Sequence, residues 1–226
     1  MLKVADALGT RTTTDIVFDQ LHEEISTLRL LPGARISEAD IANKLGVSRQ
    51  PVRDAFNRLG NMGLLAIRPQ RATTVRGFSM EAIQNARFVR LAVELEVVTR
   101  AVACWTPAYA DALAEQIDVQ RGVVEEGKSD VLHELDYEFH KAICTFGGNP
   151  LAFETIESCK QSVNRLCVLS MRNPFEGSAV VDDHQGIANA LAAGSVKKAR
   201  EAVEHHLSRL DATIAEIHTA HANYFE

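Results

Sequence analysis

A mainly α-helical protein in two unequal parts is what the sequence predicts, and three observations predict it. Apolar residues recur at helical spacing over most of the chain. β-prone runs are confined to one short stretch near residues 64–76. The charge also divides: residues 1–77 carry 11 basic and 8 acidic side chains, net +3, while residues 78–226 carry 13 and 22, net −9. Expected domains are therefore 1–77 and 78–226. The 226-residue chain is 46% hydrophobic and 24% charged, which excludes a disordered, collagen-like or low-complexity protein. No apolar run approaches the roughly 20 residues of a membrane span, and Met1 to Asp19 lacks the pattern of a signal peptide. Cys104, Cys144, Cys159 and Cys167 form neither CxxC spacing nor a paired framework, as expected of reduced thiols. The expectation is a cytoplasmic protein with no membrane partner.

Within the basic part, Val17, Leu21, Ile25 and Leu28 mark a helix from Thr13 to Arg29, which Pro32-Gly33 ends. Ser37-Glu38-Ala39-Asp40 opens a short second helix with Ile41 and Leu45 on its buried side. Gly46-Val47 turns the chain, and Ser48 caps a third helix. Pro51 falls at the third position of that helix, where its missing N–H has no intrahelical partner to lose. Val52, Ala55, Phe56 and Leu59 occupy i, i+3, i+4 and i+7, the packing face of the third helix. Its opposite side carries Arg49, Gln50, Arg53 and Asn57, long donors suited to phosphates and base edges in a major groove. Leu64–Ile67 and Thr73–Arg76 predict a two-stranded wing with arginines at its tip. Arginines on a small helical domain are often only a solvated surface. Caps, turn, donor face and wing in this order point instead to a helix-turn-helix that binds double-stranded DNA.

These residues resemble a known family. Pro32-Gly33-Ala34-Arg35-Ile36-Ser37-Glu38, followed by Leu45-Gly46-Val47-Ser48-Arg49-Gln50-Pro51-Val52-Arg53-Asp54-Ala55, is similar to the GntR-type winged helix-turn-helix over about 30 positions. The resemblance implies that Arg35, Arg49 and Arg53 contact an operator, with Ser48 and Gln50 beside them. It also implies that the wing tip, Arg71-Ala72, approaches the minor groove. The family usually has glycine where Ala72 stands, a departure that bears on how closely the tip backbone approaches DNA.

The acidic part reads as an antiparallel all-α bundle of six helices. They run from about Met80 to Cys104, from Pro107 after a Thr106 cap, from Lys128–Ser129 to Gly147, from Leu151 to Met171, from Val181 to Ala193 and from Val196 to His221. Asn173–Ser178 is expected as a loop. His206 falls within the apolar stripe Val196, Ala199, Val203, Leu207, Leu210, Ile214 and Ile217, whereas His205 points away. His184 shares a face with Ile187, Ala188 and Leu191. Asp136 and His140, spaced i, i+4, flank the stripe Leu132, Leu135, Phe139, Ile143 and Phe146. A single histidine on an apolar face is ordinarily a satisfied core residue. Three of them and an aspartate converging from three helices are costly to bury without a shared partner, and a divalent metal is one. His133, one turn from Asp136, is a substitute ligand. Arg90 and Glu94 form, at their simplest, an ion pair on a helix surface.

This half resembles the FCD effector domain, the ligand-binding domain of the FadR branch of GntR regulators. The similar stretches are Asp136-Tyr137-Glu138-Phe139-His140, Gly148-Asn149-Pro150-Leu151, Asp183-His184-Gln185-Gly186-Ile187 and Val203-Glu204-His205-His206-Leu207. The resemblance implies a metal (Zn, Ni or Mn) held by Asp136, His140, His184 and His206, with open positions for water or an effector's carboxylate. Asp183 replaces the glutamate usual before that histidine. The resemblance also implies that Arg90 faces the pocket and clamps an organic acid. Asn164 and Arg165 are further effector-contact candidates, from their helical position alone. The C-terminal part is more similar to the shorter, six-helix form of the FCD domain than to the fatty-acyl-responsive form, a resemblance that implies a small sugar, hydroxy, amino or aromatic acid rather than a long acyl chain.

The expected protein is a ligand-responsive transcription regulator, acting as a repressor. It would be a homodimer on a pseudo-palindromic operator, governed by a small carboxylate effector. Two other classes compete. A metal-dependent enzyme acting on a small carboxylate would use the open positions of the centre, but no separate general base stands out beside it. An architectural DNA-binding protein with a purely structural bundle leaves the histidines and aspartate without a purpose.

Overall fold

The computed structural model describes residues 11–68, 71–161, 163–170 and 174–226, with the side chains of 129, 130, 161, 164, 167, 170 and 174–176 outside that description. Two compact units result. One runs to Phe78 and takes in Asn223–Glu226; the other is Ser79–Ala222.

The first unit begins with α1 (Thr13–Ser26), whose Thr12 hydroxyl accepts from the Asp15 N–H while the Asp15 carboxylate accepts from the Thr12 N–H. Ser37 caps α2 (Glu38–Leu45), and Gly46 closes it in the left-handed region at φ 66°, the turn into α3 (Arg49–Asn61). Val52, Ala55, Phe56 and Leu59 are buried against Val17, Leu21 and Ile25 of α1, as the periodicity predicts. The wing differs from its expected two strands. β2 (Leu65–Ala66) and β3 (Thr73–Val75) are joined by β1 (Arg35–Ile36), giving the antiparallel order β1-β3-β2. The Val75 N–H donates to the Ala34 carbonyl at 2.9 Å, and Gly33 returns the bond to Val75. A two-residue strand leaves no alternation to read, so periodicity could not reveal it.

Asn223–Glu226 completes this unit. The Phe78 N–H donates to the Tyr224 carbonyl at 2.7 Å, the Glu226 N–H donates to the Phe78 carbonyl at 2.9 Å, and the Phe78 and Phe225 rings lie 5.3 Å apart. The Glu226 carboxylate accepts from Arg76 at 2.9 Å and from the Gly77 N–H at 3.1 Å. A side chain at Gly77 would stand 2.7 Å from the Tyr224 carbonyl, so glycine is what permits this approach.

The second unit contains α4 (Met80–Ala103), α5 (Pro107–Glu125), α6 (Ser129–Phe146), α7 (Ala152–Gln161), α8 (Asn164–Ser170), α9 (Pro174–Ala192) and α10 (Val196–Ala220). Its core includes Val98, Ala101, Leu113, Ile117, Phe139, Ile143, Ile187, Leu191, Ala199 and Val203. α10 packs on α9 and α4, and α5 packs on α9 and α6. Two expectations fail here. The helix expected from Leu151 to Met171 is two, α7 and α8, so the described residues of this unit hold seven helices rather than six. Of the expected loop Asn173–Ser178, residues 174–178 are the start of α9, and Asn173 lies outside the described residues. Pro174 at the first helical position needs no N–H partner. Gly177 is there for packing, since a Cβ on it would meet Leu132 and Val124 at 3.3 Å. Among the described residues no helix is long and apolar enough to cross a membrane.

Candidate functional site

In the first unit the residues proposed to meet DNA lie on the surface. Arg35 on β1, Ser48 before α3, Arg49, Gln50 and Arg53 on α3, and Arg71 ahead of β3 are all exposed, as is Ala72. Packing explains it: Val52, Ala55, Phe56 and Leu59 anchor the other side of α3. Ser48 stands at the N-cap without a side-chain cap bond, so its hydroxyl and the first N–H groups of the helix face outward together. Gln50 donates to Asp54 at 2.9 Å, and Arg53 donates to Glu38 at 3.2 Å from both Nε and Nη2. The Arg53–Glu38 pair is more than half exposed on the arginine side and holds the side chain only weakly. The rest of the wing tip, Pro69 and Gln70, lies outside the described residues.

In the second unit α6, α9 and α10 converge. Asp136 and His140 come from α6, His184 from α9 and His206 from α10, and one donor atom from each lies within 4.8 Å of the others. The Asp136 Oδ1 atom stands 3.3 Å from His184 Nε2, 3.5 Å from His140 Nε2 and 3.7 Å from His206 Nε2. His133 is not in this group; its ring packs edge-on against Tyr137.

Two of the imidazoles have a hydrogen-bonding acceptor behind them, and the third, His206, has a carboxylate nearby without a hydrogen bond to its Nδ1. His140 Nδ1 lies 2.8 Å from Glu94, His184 Nδ1 lies 2.7 Å from the Gln120 amide oxygen, and His206 Nδ1 lies 3.5 Å from Asp183. Gln120 is oriented by its own amide, which donates to the Leu135 carbonyl at 3.4 Å. Phe139 stacks on His184 with ring centroids 4.0 Å apart. Arg90 donates to Glu94 at 2.6 Å and turns its Nη2 to His140 Nε2 at 3.2 Å. The Arg90–Glu94 pair is thus almost fully buried at the cluster, not the helix-surface pair of the simplest expectation. Lys160 of α7 binds the outer oxygen of Asp136 and lies 3.6 Å from the Tyr137 ring centre. Arg209 binds both oxygens of Asp183. Arg165 is buried in α8, and the Asn164 side chain lies outside the described residues.

The electrostatics follow. Burial pushes His184 down to about 4 and lowers His206 as well. Burial also works against a charged His140, but the Glu94 and Asp136 carboxylates outweigh it and raise the group. Burial opposes the charge on Asp136 too, and Lys160 and His140 overcome this to hold the carboxyl well below its usual range. Buried imidazoles, neutral when they coordinate, beside an ionised carboxylate are the donor set of zinc, nickel and manganese.

The residues fit such an ion on one further observation. His184 Nε2 is buried and has no hydrogen-bond partner. Donor atoms around one ion at 2.0–2.2 Å stand about 3–3.5 Å apart, close to the spacings around Asp136 Oδ1.

Sequence reasoning missed Lys160 and Gln120. A signal existed for both. Ile156, Lys160 and Val163 are spaced i, i+4, i+7 and are all buried, as are Leu113, Ile117 and Gln120. A lysine or glutamine in register with an apolar stripe calls for an internal partner.

Comparison with known proteins agrees with the fold. Residues 13–75 match the gntR family of bacterial regulatory proteins, and residues 86–209 match the FCD domain. The HTH-type transcriptional repressor RspR of Escherichia coli (strain K12) is 30% identical over 216 residues, covering 96% of this chain and 95% of that protein. The HTH-type transcriptional regulator McbR of the same organism is 26% identical over 196 residues, covering 86% and 87%. The solved structure of E. coli McbR/YncC superposes with a TM-score of 0.69 at 25% identity, covering 91% of this chain and 98% of that one. These relatives are regulators, not enzymes. A winged helix-turn-helix with an exposed arginine-bearing helix and a helical FCD unit therefore place the chain in the gntR family of bacterial transcription regulators.

Proposed function

We propose that the protein is a cytoplasmic repressor that binds a pseudo-palindromic operator as a homodimer. It would release or retain that operator according to a small carboxylate bound in the FCD unit. Arg35, Ser48, Arg49, Gln50, Arg53 and Arg71 read and position the DNA. Asp136, His140, His184 and His206 hold a divalent ion with coordination positions left open, and Arg90 meets the effector's carboxylate, with Asn164 and Arg165 as further contacts. The observation that carries the sensing half is the gathering of three imidazole Nε2 atoms around Asp136 Oδ1 beside the Arg90 guanidinium. Repression is supported by the relative named a transcriptional repressor. The effector shifts operator affinity only if it binds one arrangement of the dimer better than the other.

Footprinting with the metal content measured alongside tests both halves. Arg49→Ala and Arg53→Ala are expected to lose specific operator protection while keeping metal and fold, at a cost of about 1–3 kcal/mol for each base contact removed. His184→Ala and His206→Ala are expected to lose metal. Parent-like footprints from both arginine variants overturn the recognition-helix assignment, and parent-like metal content in both histidine variants overturns the centre.

A further inference from the structure

The acids around the cluster are already matched. Among the described residues that touch it, Glu94 is bound by Arg90, Asp136 by Lys160 and Asp183 by Arg209. Lys160, Glu94, His140 and His184 are each at most 4% exposed. Three carboxylates thus meet three cations, and the three imidazoles add no net charge as metal ligands, a role they fill in the neutral form. A divalent ion entering among the Nε2 atoms brings two positive charges that nothing in this shell of described residues offsets, among side chains that are mostly buried.

Lys160 decides this balance. Asp136 turns Oδ1 toward the three imidazoles and gives its other oxygen to the Lys160 ammonium, so only one of its oxygens is left for an ion. An uncharged side chain at 160 would leave the full carboxylate charge to the centre. Tyr137 lies against the ammonium on the same side, and α7 carries Lys160 on the buried side of the helix with Ile156. The lysine is a fixed part of the cluster.

We propose that Lys160 makes the binding of a divalent cation and of a doubly charged small acid depend on each other, so that the pocket selects a dicarboxylate-like ligand over a monocarboxylate. The proposal rests on the reading of Asp136, His140, His184 and His206 as metal ligands. The coupling is reciprocal: whatever factor the acid adds to the affinity for the ion, the ion adds to the affinity for the acid.

The test is calorimetric titration of the full chain with Zn²⁺, alone, with acetate and with malonate, affinities being expressed against free ion. Malonate is expected to tighten Zn²⁺ binding by about tenfold or more, and acetate by less than about threefold. Lys160→Gln is expected to bind Zn²⁺ about fivefold more tightly than the parent without any acid, and to lose most of the malonate effect. Lys160→Arg keeps the charge and is expected to behave as the parent. If Lys160→Gln weakens Zn²⁺ binding, the lysine only holds Asp136 in place and the proposal is overturned. Equal effects of acetate and malonate overturn the ligand class, and this comparison on the parent decides even where Lys160→Gln does not fold. If His184→Ala binds Zn²⁺ as the parent does, or the parent binds none under any condition, the metal reading itself falls.

Discussion

Gln120 shows how one neutral side chain can set the chemistry of a charged neighbour. Its amide oxygen faces His184 Nδ1 at 2.7 Å, so that nitrogen carries the proton and Nε2 keeps its lone pair turned to Asp136. Gln120→Leu preserves volume but removes the acceptor. It is expected to lower metal affinity about 10- to 100-fold while leaving the helical circular dichroism unchanged; a parent-like affinity would show that Phe139 stacking alone fixes the ring. The sequence offered the four clustered side chains because three histidines and an aspartate sat on or beside apolar helix faces. The partners behind them were not legible in the same way. A glutamine, a lysine and two carboxylates are ordinary surface residues until the register of α4, α5, α7 and α9 turns them inward.

At the scale of elements, the long regular helices were readable from periodicity and caps, and the boundaries set by packing were not. Thr106-Pro107 announced α5 because a cap is a local device, whereas Ser48 marks the start of α3 without making a cap bond. Asn173–Ser178 was misread because proline and glycine mark loops and helix starts alike. Gly177 provides a sharp check. In a loop its replacement by leucine would be tolerated, but against Leu132 and Val124 it overpacks the bundle. Gly177→Leu is expected to destabilise the second unit by about 1–3 kcal/mol in urea unfolding. Gly46 makes the corresponding point in the first unit. With φ at 66°, Gly46→Ala should cost roughly 1 kcal/mol and weaken operator binding through the placement of α3.

At the scale of the molecule, separate hydrophobic clusters serve the two units. The proposed ion touches only one of them. Saturating Zn²⁺ with malonate, at about 100 times its dissociation constant, should stabilise the Ser79–Ala222 unit by about 2.7 kcal/mol. Differential scanning calorimetry should register that as a metal-dependent shift absent from His206→Ala. The charge division near residue 77 made the two-part organisation legible. The return of residues 223–226 to the first unit was not legible, because two backbone bonds, one carboxylate contact and one glycine leave no periodic trace.

That return has a consequence for how the protein is made. Phe78 is 4% exposed; the Phe225 ring packs on it, and Tyr224 and Glu226 bond its backbone. During synthesis these residues leave the ribosome after every helix of the second unit, so the DNA-reading unit gains its final backbone bonds last. A nascent chain halted anywhere before Asn223 has the recognition helix but lacks the Phe225 ring against Phe78 and the Glu226 carboxylate beside Arg76.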